Sequence, residues 1–165
     1  MPGSASSADK NSLALAVLRI SVGVLFLIFA QYKVFGTQFT LHGGFPFWIN
    51  RFLEDGAYPF MRPVLKNFVL PHATPMAFFV AYGELAIGLS LVSGVLVRAA
   101  SFFGLLFMLS LLFSANYPGP NAPLWQYFGA SLDHSVLALC FLAFLIGNAG
   151  ARLSLASLRS QRKSS

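Results

Sequence analysis

The stretch that decides the fold lies at residues 13–32 and has the sequence LALAVLRISVGVLFLIFAQY. Arg19 is its single charged residue, and nearly all of the others are apolar or small. A helix of about 20 apolar residues crosses the hydrocarbon core of a bilayer, which is roughly 30 Å thick. This stretch therefore predicts a membrane-spanning helix.

Three further apolar stretches follow along the chain. Glu84 interrupts the second, Arg98 precedes the third, and Asp133 and His134 lie near the start of the fourth. The four predicted spans are residues 13–32, 76–97, 99–115 and 128–147. Their lengths and composition predict an all-α fold, an integral membrane four-helix bundle.

The composition of the whole chain supports this class. The 165 residues are 56% hydrophobic and 10% charged, with a mean hydropathy of +0.69, whereas a soluble domain carries about a quarter of charged residues. Eleven basic and five acidic residues cannot cover a water-exposed surface of this size. A soluble globule, a disordered chain and a nucleic-acid-binding module are excluded despite the pI of 9.9; membrane lipid is the expected surrounding, with no nucleic-acid partner.

The spans form one predicted domain, residues 13–158, between two short tails. Residues 1–12 are rich in Ser and Ala and are expected to be a mobile N-terminal tail. Residues 159–165 are expected to be a basic C-terminal tail. A chain of this length has room for one domain.

The first loop, residues 34–75, is too long for a simple connection. Its apolar positions 45, 48, 49, 52 and 53 share one helical face, and so do positions 61, 64, 65, 68 and 69. The pattern predicts two short amphipathic helices in this outer loop. Either they lie against the outer membrane surface or they cover the bundle as packed lids; the sequence leaves both open.

The distribution of basic residues predicts the orientation. The side of the termini carries Lys10, Arg98, Arg152, Arg159, Arg162 and Lys163. The opposite side carries Lys33, Arg51, Arg62 and Lys66. Because Lys and Arg are more frequent in cytoplasmic segments, we expect both termini in the cytoplasm and the loops 34–75 and 116–127 outside.

Four titratable side chains are predicted to converge in the outer half of the bundle. They are Lys33, Glu84, Asp133 and His134. Ionisable groups inside a membrane are costly and by default indicate function. Two interpretations stay open: a mutually neutralised network that fixes the helix register, or a proton-accepting site that binds a quinone headgroup.

Arg19 and Arg98 are predicted to be anchor charges on the cytoplasmic side. Arg19 lies close enough to that side for its guanidinium to extend to the headgroups along an apolar stem, and a role in a site is the alternative. Small residues at Ala86, Ser90 and Gly94 recur every four positions, which predicts close packing of a neighbouring helix.

The sequence shows no motif for a bound metal or redox cofactor. Three histidines, His42, His72 and His134, share one predicted side of the membrane, but no HxxxH or CxxC spacing accompanies them. Cys140 is the lone cysteine. We therefore predict no metal site, and no flavin, haem or iron–sulfur motif is visible.

Three stretches resemble the DoxX/DoxD-like family of small four-helix membrane proteins. They are LAVLRISVGVLFLIFAQYKVFG at residues 15–36, FVLPHATPMAFFVAYGELAIGLSLVSGVLVRAASFFG at residues 68–104, and GNAGARLSLASL at residues 147–158. In the second, Glu84, Gly88, Gly94 and Arg98 match the family's glutamate, glycines and arginine. The long first loop is similar to the DoxD branch, the small subunit associated with thiosulfate:quinone oxidoreductase.

The resemblance implies a membrane subunit that works with a redox enzyme acting on sulfur compounds and quinone. We therefore expect an auxiliary or anchoring subunit of an electron-transfer complex in a bacterial or archaeal inner membrane, with other membrane-protein subunits as partners and a quinone as the candidate cofactor. A small catalytic subunit of a thiosulfate:quinone-type oxidoreductase is the first alternative. A small proton-coupled carrier is the second, although the chain lacks the repeats common in transporters. Asp133 and His134 depart from the family's glutamate, so no catalytic role is carried over to them.

Overall fold

The computed structural model describes residues 7–147, 149–150 and 152–155, and this part of the chain is mostly helical. The helices are α1 (Ser7–Phe35), α2 (Thr37–Thr40), α3 (Gly44–Glu54), α4 (Met61–Val64), α5 (Ala73–Ser93), α6 (Val97–Ser114), α7 (Leu124–Gly129) and α8 (Leu132–Ile146). A π-helical segment, Leu65–Val69, continues α4. The predicted tail at residues 159–165 lies outside the described residues.

Three of the described helices, α1, α5 and α6, are long and apolar enough to cross a membrane. Helix α8 is equally apolar but has only 15 residues. The structure therefore supports an all-helical membrane protein with three long apolar helices and one shorter one. The fourth span stays a prediction.

Several helix ends differ from the predicted spans. Helix α1 already begins at Ser7, so the described part of the predicted N-terminal tail is helical. Helix α5 ends at Ser93 rather than at residue 97, because Gly94 adopts a left-handed conformation with φ of 75° and caps it. Arg98 consequently lies in the first turn of α6 instead of in a connecting turn.

Helices α1 and α5 pack antiparallel through small residues. A Cβ added at Gly23 would lie 2.9 Å from Leu91 Cβ, and one added at Gly88 would lie 2.8 Å from Leu27 Cδ2. Both glycines thus allow side chains of the opposite helix to sit directly on the backbone. The close approach fixes the register of the two helices.

Helices α6 and α8 pack around one aromatic side chain. The ring of Phe141 is fully buried, and a Cβ added at Gly104 would overlap it. Phe141 also makes edge-to-face contacts with Phe26 at 5.3 Å and with Phe144 at 6.2 Å. The ring therefore joins α6, α8 and α1 in one core.

The outer loop forms a second core on the first half of α5. Phe45 and Ile49 of α3 are buried with Leu65 and Val69 of the π-helical segment and Ala77 of α5. Part of each predicted apolar face thus packs against protein, whereas Trp48, Val64 and Phe68 of the same faces are exposed. The buried residues fit the packed lids and the exposed ones fit helices on the membrane surface, so both predicted arrangements stay open.

Tyr58 ties the outer loop to the loop after α6. Its phenol is buried and donates a hydrogen bond to the Tyr127 carbonyl at 3.0 Å, and its ring packs on Phe113, Tyr117 and Tyr127. Its backbone N–H also donates to the Phe113 carbonyl at 3.1 Å. Two loops that are distant in sequence therefore form one aromatic cap.

We expect Tyr58→Phe to lower the free energy of unfolding by about 1 kcal/mol, the usual contribution of one such hydrogen bond. Denaturation of the detergent-solubilised protein, followed by circular dichroism, measures this. Tyr82→Phe is the matched control, because it removes a hydroxyl from an exposed ring. Equal losses in both variants would contradict the assignment.

Tyr58 also predicts an alkaline limit to stability. Burial, and then the neighbouring phenols of Tyr127 and Tyr117, raise the pKa of Tyr58 above its usual value of 10.0. Its contribution is complete below about pH 10, where the phenol is protonated in both states. Above that pH the unfolded chain loses the proton first, so stability falls. This fall should be shallower in Tyr58→Phe.

Candidate functional site

The ion pair between Lys33 and Glu84 is the central polar feature of the α1–α5 contact. Lys33 lies in the last turn of α1, and Glu84 lies on the buried face of α5 together with Ala77 and Ala81. The ammonium donates directly to Glu84 Oε1. The Glu84 side chain is 6% exposed and the Lys33 side chain 23%, so the acid is the more deeply buried partner.

The surroundings of the pair leave one acceptor unused. Glu84 Oε2 is buried without a hydrogen-bond partner. The ring of Phe39 in α2 lies 5.2 Å from the Lys33 ammonium and covers it with a cation–π contact. Glu84 Oε2 can therefore accept one more hydrogen bond.

Asp133 and His134 form a separate pair in the first turn of α8. His134 Nδ1 lies 3.4 Å from Asp133 Oδ1, and the Asp133 side chain is 72% exposed. Among the described residues, no ion pair joins Asp133 or His134 to Lys33 or Glu84. The convergence of all four side chains in one cluster stays a prediction.

The start of α8 differs from the predicted start of the fourth span. Helix α7 ends at Gly129, and the backbone at Ser131 leaves the helical region before α8 begins at Leu132. The predicted span from residue 128 had placed Asp133 and His134 well inside a helix. The break puts them at its end, where a carboxylate is favoured by the helix dipole.

Arg19 is fully enclosed in the protein, with an exposed fraction of 0%. Its Nη2 donates to the Leu153 carbonyl at 2.7 Å, while Nε and Nη1 are buried without hydrogen-bond partners. Gly94 leaves room for the guanidinium, since a Cβ there would overlap Nη1 and Ser154. An anchor charge requires a side chain that extends to the membrane surface. The Arg19 side chain instead lies inside the protein.

The chain after α8 explains this enclosure. Ala149 and Ser154 are buried, so this segment returns across the end of the bundle next to α1 and Gly94. Arg98, by contrast, is exposed in the first turn of α6. Its role as an anchor charge stays a prediction.

The predicted small-residue stripe does not form one packing surface. Ala86 is exposed and Ser90 only half-buried, and the Ser90 hydroxyl donates to the Val95 carbonyl. Gly94 does allow a close approach, but to Arg19 and Ser154. The close contact of α5 with α1 is made instead at Gly88, on a neighbouring face of α5.

The described residues offer no ready metal ligand set. In this part of the chain, no three His, Cys, Asp or Glu side chains lie close enough to share an ion. The predicted histidines are spread apart: His42 and His72 are exposed and bond to local backbone carbonyls.

Comparison with known families identifies the scaffold that carries this ion pair. A family model described as DoxX matches residues 14–116, which include most of α1, the outer loop, α5, α6 and the Lys33–Glu84 pair. The chain belongs to the DoxX family. No curated protein and no solved structure matches this DoxX protein.

Proposed function

We propose that this DoxX protein is an auxiliary or anchoring subunit of a redox membrane complex, rather than the subunit that carries the electrons. The proposal combines the family assignment with the use of its buried charges. Lys33 and Glu84 neutralise each other inside the chain and join α1 to α5. Such a pair holds a scaffold in register without any ligand.

The direct pairing of Lys33 with Glu84 is the observation that carries this proposal. A site that exchanges protons or binds a headgroup needs its ionisable groups free to change partners. Here the carboxylate is buried under packed helices and its partner is covered by Phe39. This arrangement suits a subunit whose chemistry is supplied by partners.

Native purification tests the proposal. The protein is extracted from its own membranes in mild detergent, and the co-eluting proteins are identified by mass spectrometry. We expect a redox enzyme to co-elute with the protein in stoichiometric amount. The same enzyme should co-elute with the Arg98→Gln variant, which preserves the fold. Elution of a single chain that itself reduces a quinone would overturn the proposal.

The unused Glu84 Oε2 favours one second candidate, a quinone-headgroup site in a quinone-linked oxidoreductase. In the reduced form, a hydroquinone hydroxyl could donate to Oε2; in the oxidised form, the Lys33 ammonium could donate to a quinone carbonyl oxygen. Helix α2 with Phe39 would first have to move. Extraction of bound quinone from the wild-type protein, with its loss in Glu84→Gln, would favour this candidate.

We also propose four spans with both termini in the cytoplasm, on the basic-residue distribution. In a Cys140→Ser background, new cysteines at Asn11 and Leu155 should resist an impermeant thiol reagent in intact cells. Cysteines at Asn67 and Asn121 should react and serve as positive controls. Labelling of Asn11→Cys from outside would reverse the orientation.

A further inference from the structure

Arg19 is a buried charge that lacks a counter-ion in the described part of the chain. Its side chain is 0% exposed, and none of the ion pairs among the described residues includes it. Nη2 donates to the Leu153 carbonyl, but Nε and Nη1 have no hydrogen-bond partner. Because an uncompensated buried charge is strongly destabilising, we expect an anion to accompany this guanidinium.

The acidic residues of the sequence do not supply that charge. Four of the five lie against other basic side chains: Glu54, Asp55, Glu84 and Asp133. The fifth, Asp9, precedes Arg19 by ten residues in α1, which is about 15 Å along the helix axis. Residues 134–165 contain no Asp or Glu. The counter-ion of Arg19 is therefore expected to come from outside the chain.

The surroundings of Arg19 offer further donors. A Cβ added at Gly94 would lie 2.5 Å from Arg19 Nη1, and α6 begins three residues later, at Val97. Leu96 is left-handed, with φ of 55° and ψ of 30°, and the helical Val97 follows it. Such an alternation turns successive backbone N–H groups towards one point and forms an anion-binding concavity. No side chain caps α6, so its first N–H groups lack a partner within the helix.

The enclosure of the guanidinium restricts the size of the anion. Leu153 accepts a hydrogen bond from Nη2, and Ser154 packs against Gly94 next to Nη1. A lipid phosphate or the carboxylate of another protein would stay attached to a molecule that has to pass between these packed segments. A halide ion has no such attachment, and its single negative charge matches the single positive charge of Arg19.

We propose that Arg19 binds a small monovalent anion of the size of chloride, next to the start of α6. The bound ion neutralises the guanidinium and joins α1 to the segment 149–155, which returns across this end of the bundle. The site exists only in the folded protein, so chloride should stabilise the fold in a saturable manner.

Thermal melting of the full-length protein in detergent tests this binding. The protein is purified in sodium gluconate, whose anion is too large for the site, and chloride then replaces gluconate at constant ionic strength. We expect a saturable rise in the melting temperature, which bromide reproduces and sulfate does not. A flat response to chloride, or an equal rise with sulfate, would overturn the proposal.

The variant Arg19→Gln assigns the effect to the guanidinium and should lose the response to chloride. Arg98→Gln is the matched control, because Arg98 is an exposed arginine in the first turn of α6; this variant should keep the response. A chloride response of wild-type size in Arg19→Gln would contradict the site.

Bromide in crystals of the wild-type protein locates the anion without any variant, and so remains decisive if Arg19→Gln does not fold. We expect an anomalous scattering peak beside Nε or Nη1 of Arg19. The absence of a peak there, or a lipid phosphate or a partner's carboxylate in its place, would overturn the proposal. Each of these results is independent of the proposed role in a redox complex.

Discussion

Glu84→Gln should destabilise the protein by about 3 kcal/mol, the lower part of the range for breaking a buried ion pair. The variant keeps the shape of the side chain and removes its charge, so the Lys33 ammonium loses its counter-ion. The loss falls in the lower part of this range because Lys33 is 23% exposed and can turn towards solvent. Unfolding in mixed micelles with increasing denaturing detergent measures the loss.

The double variant Lys33→Met/Glu84→Gln distinguishes a broken pair from a damaged helix contact. Removing both charges leaves no unpaired ion, so we expect most of the lost stability to return. Glu54→Gln is the control, since that carboxylate is 70% exposed. A wild-type melt for Glu84→Gln would show that the pair contributes nothing to the bundle.

Phe141→Ala should cost about 3 kcal/mol, because it removes a fully buried ring and leaves a cavity between helices α6, α8 and α1. The same mixed-micelle unfolding applies. Leu139→Ala is the matched control in α8, because Leu139 is exposed and its truncation should change stability by less than about 0.5 kcal/mol.

Gly104 offers a second measurement of the same contact. Gly104→Ala places a methyl group in the space of the Phe141 ring and should cost about 1–3 kcal/mol by overpacking. Combined with Phe141→Leu, the added methyl has room, so the double variant should lose less than the sum of the singles. Strict additivity would show that the two residues do not touch.

The pairing of Lys33 with Glu84 could be anticipated from the sequence, because both are ionisable residues in consecutive antiparallel spans. A buried charge in a membrane needs a partner, and the predicted spans contain few residues of opposite charge. The two long-range contacts of Arg19 and Tyr58 could not be anticipated from the sequence. The first depends on a segment 134 residues later, and the second joins loops 69 residues apart.

The sequence likewise does not show which faces of the helices pack against each other. In a soluble protein, polar residues mark the exposed side of a helix. In a membrane, lipid-facing and core-facing positions are both apolar, so Ala86 and Gly88 look alike in the sequence. The contact of Gly88 with Leu27 decides the register, and only the three-dimensional structure shows it. The break before α8 was not predicted for a related reason, because Phe128 and Leu132 continue the apolar pattern across it.

The shortness of α8 has a consequence for the surrounding bilayer. Fifteen residues extend over about 22 Å, whereas the hydrocarbon layer of an average membrane measures roughly 30 Å. If α8 is the fourth span that we propose, lipid that borders it has to compress, or the helix has to draw its flanking residues inward, and either adjustment costs a fraction of a kcal/mol per ångström. Such a hydrophobic mismatch would favour residence in thinner membranes and would draw together neighbours that share the same deformation.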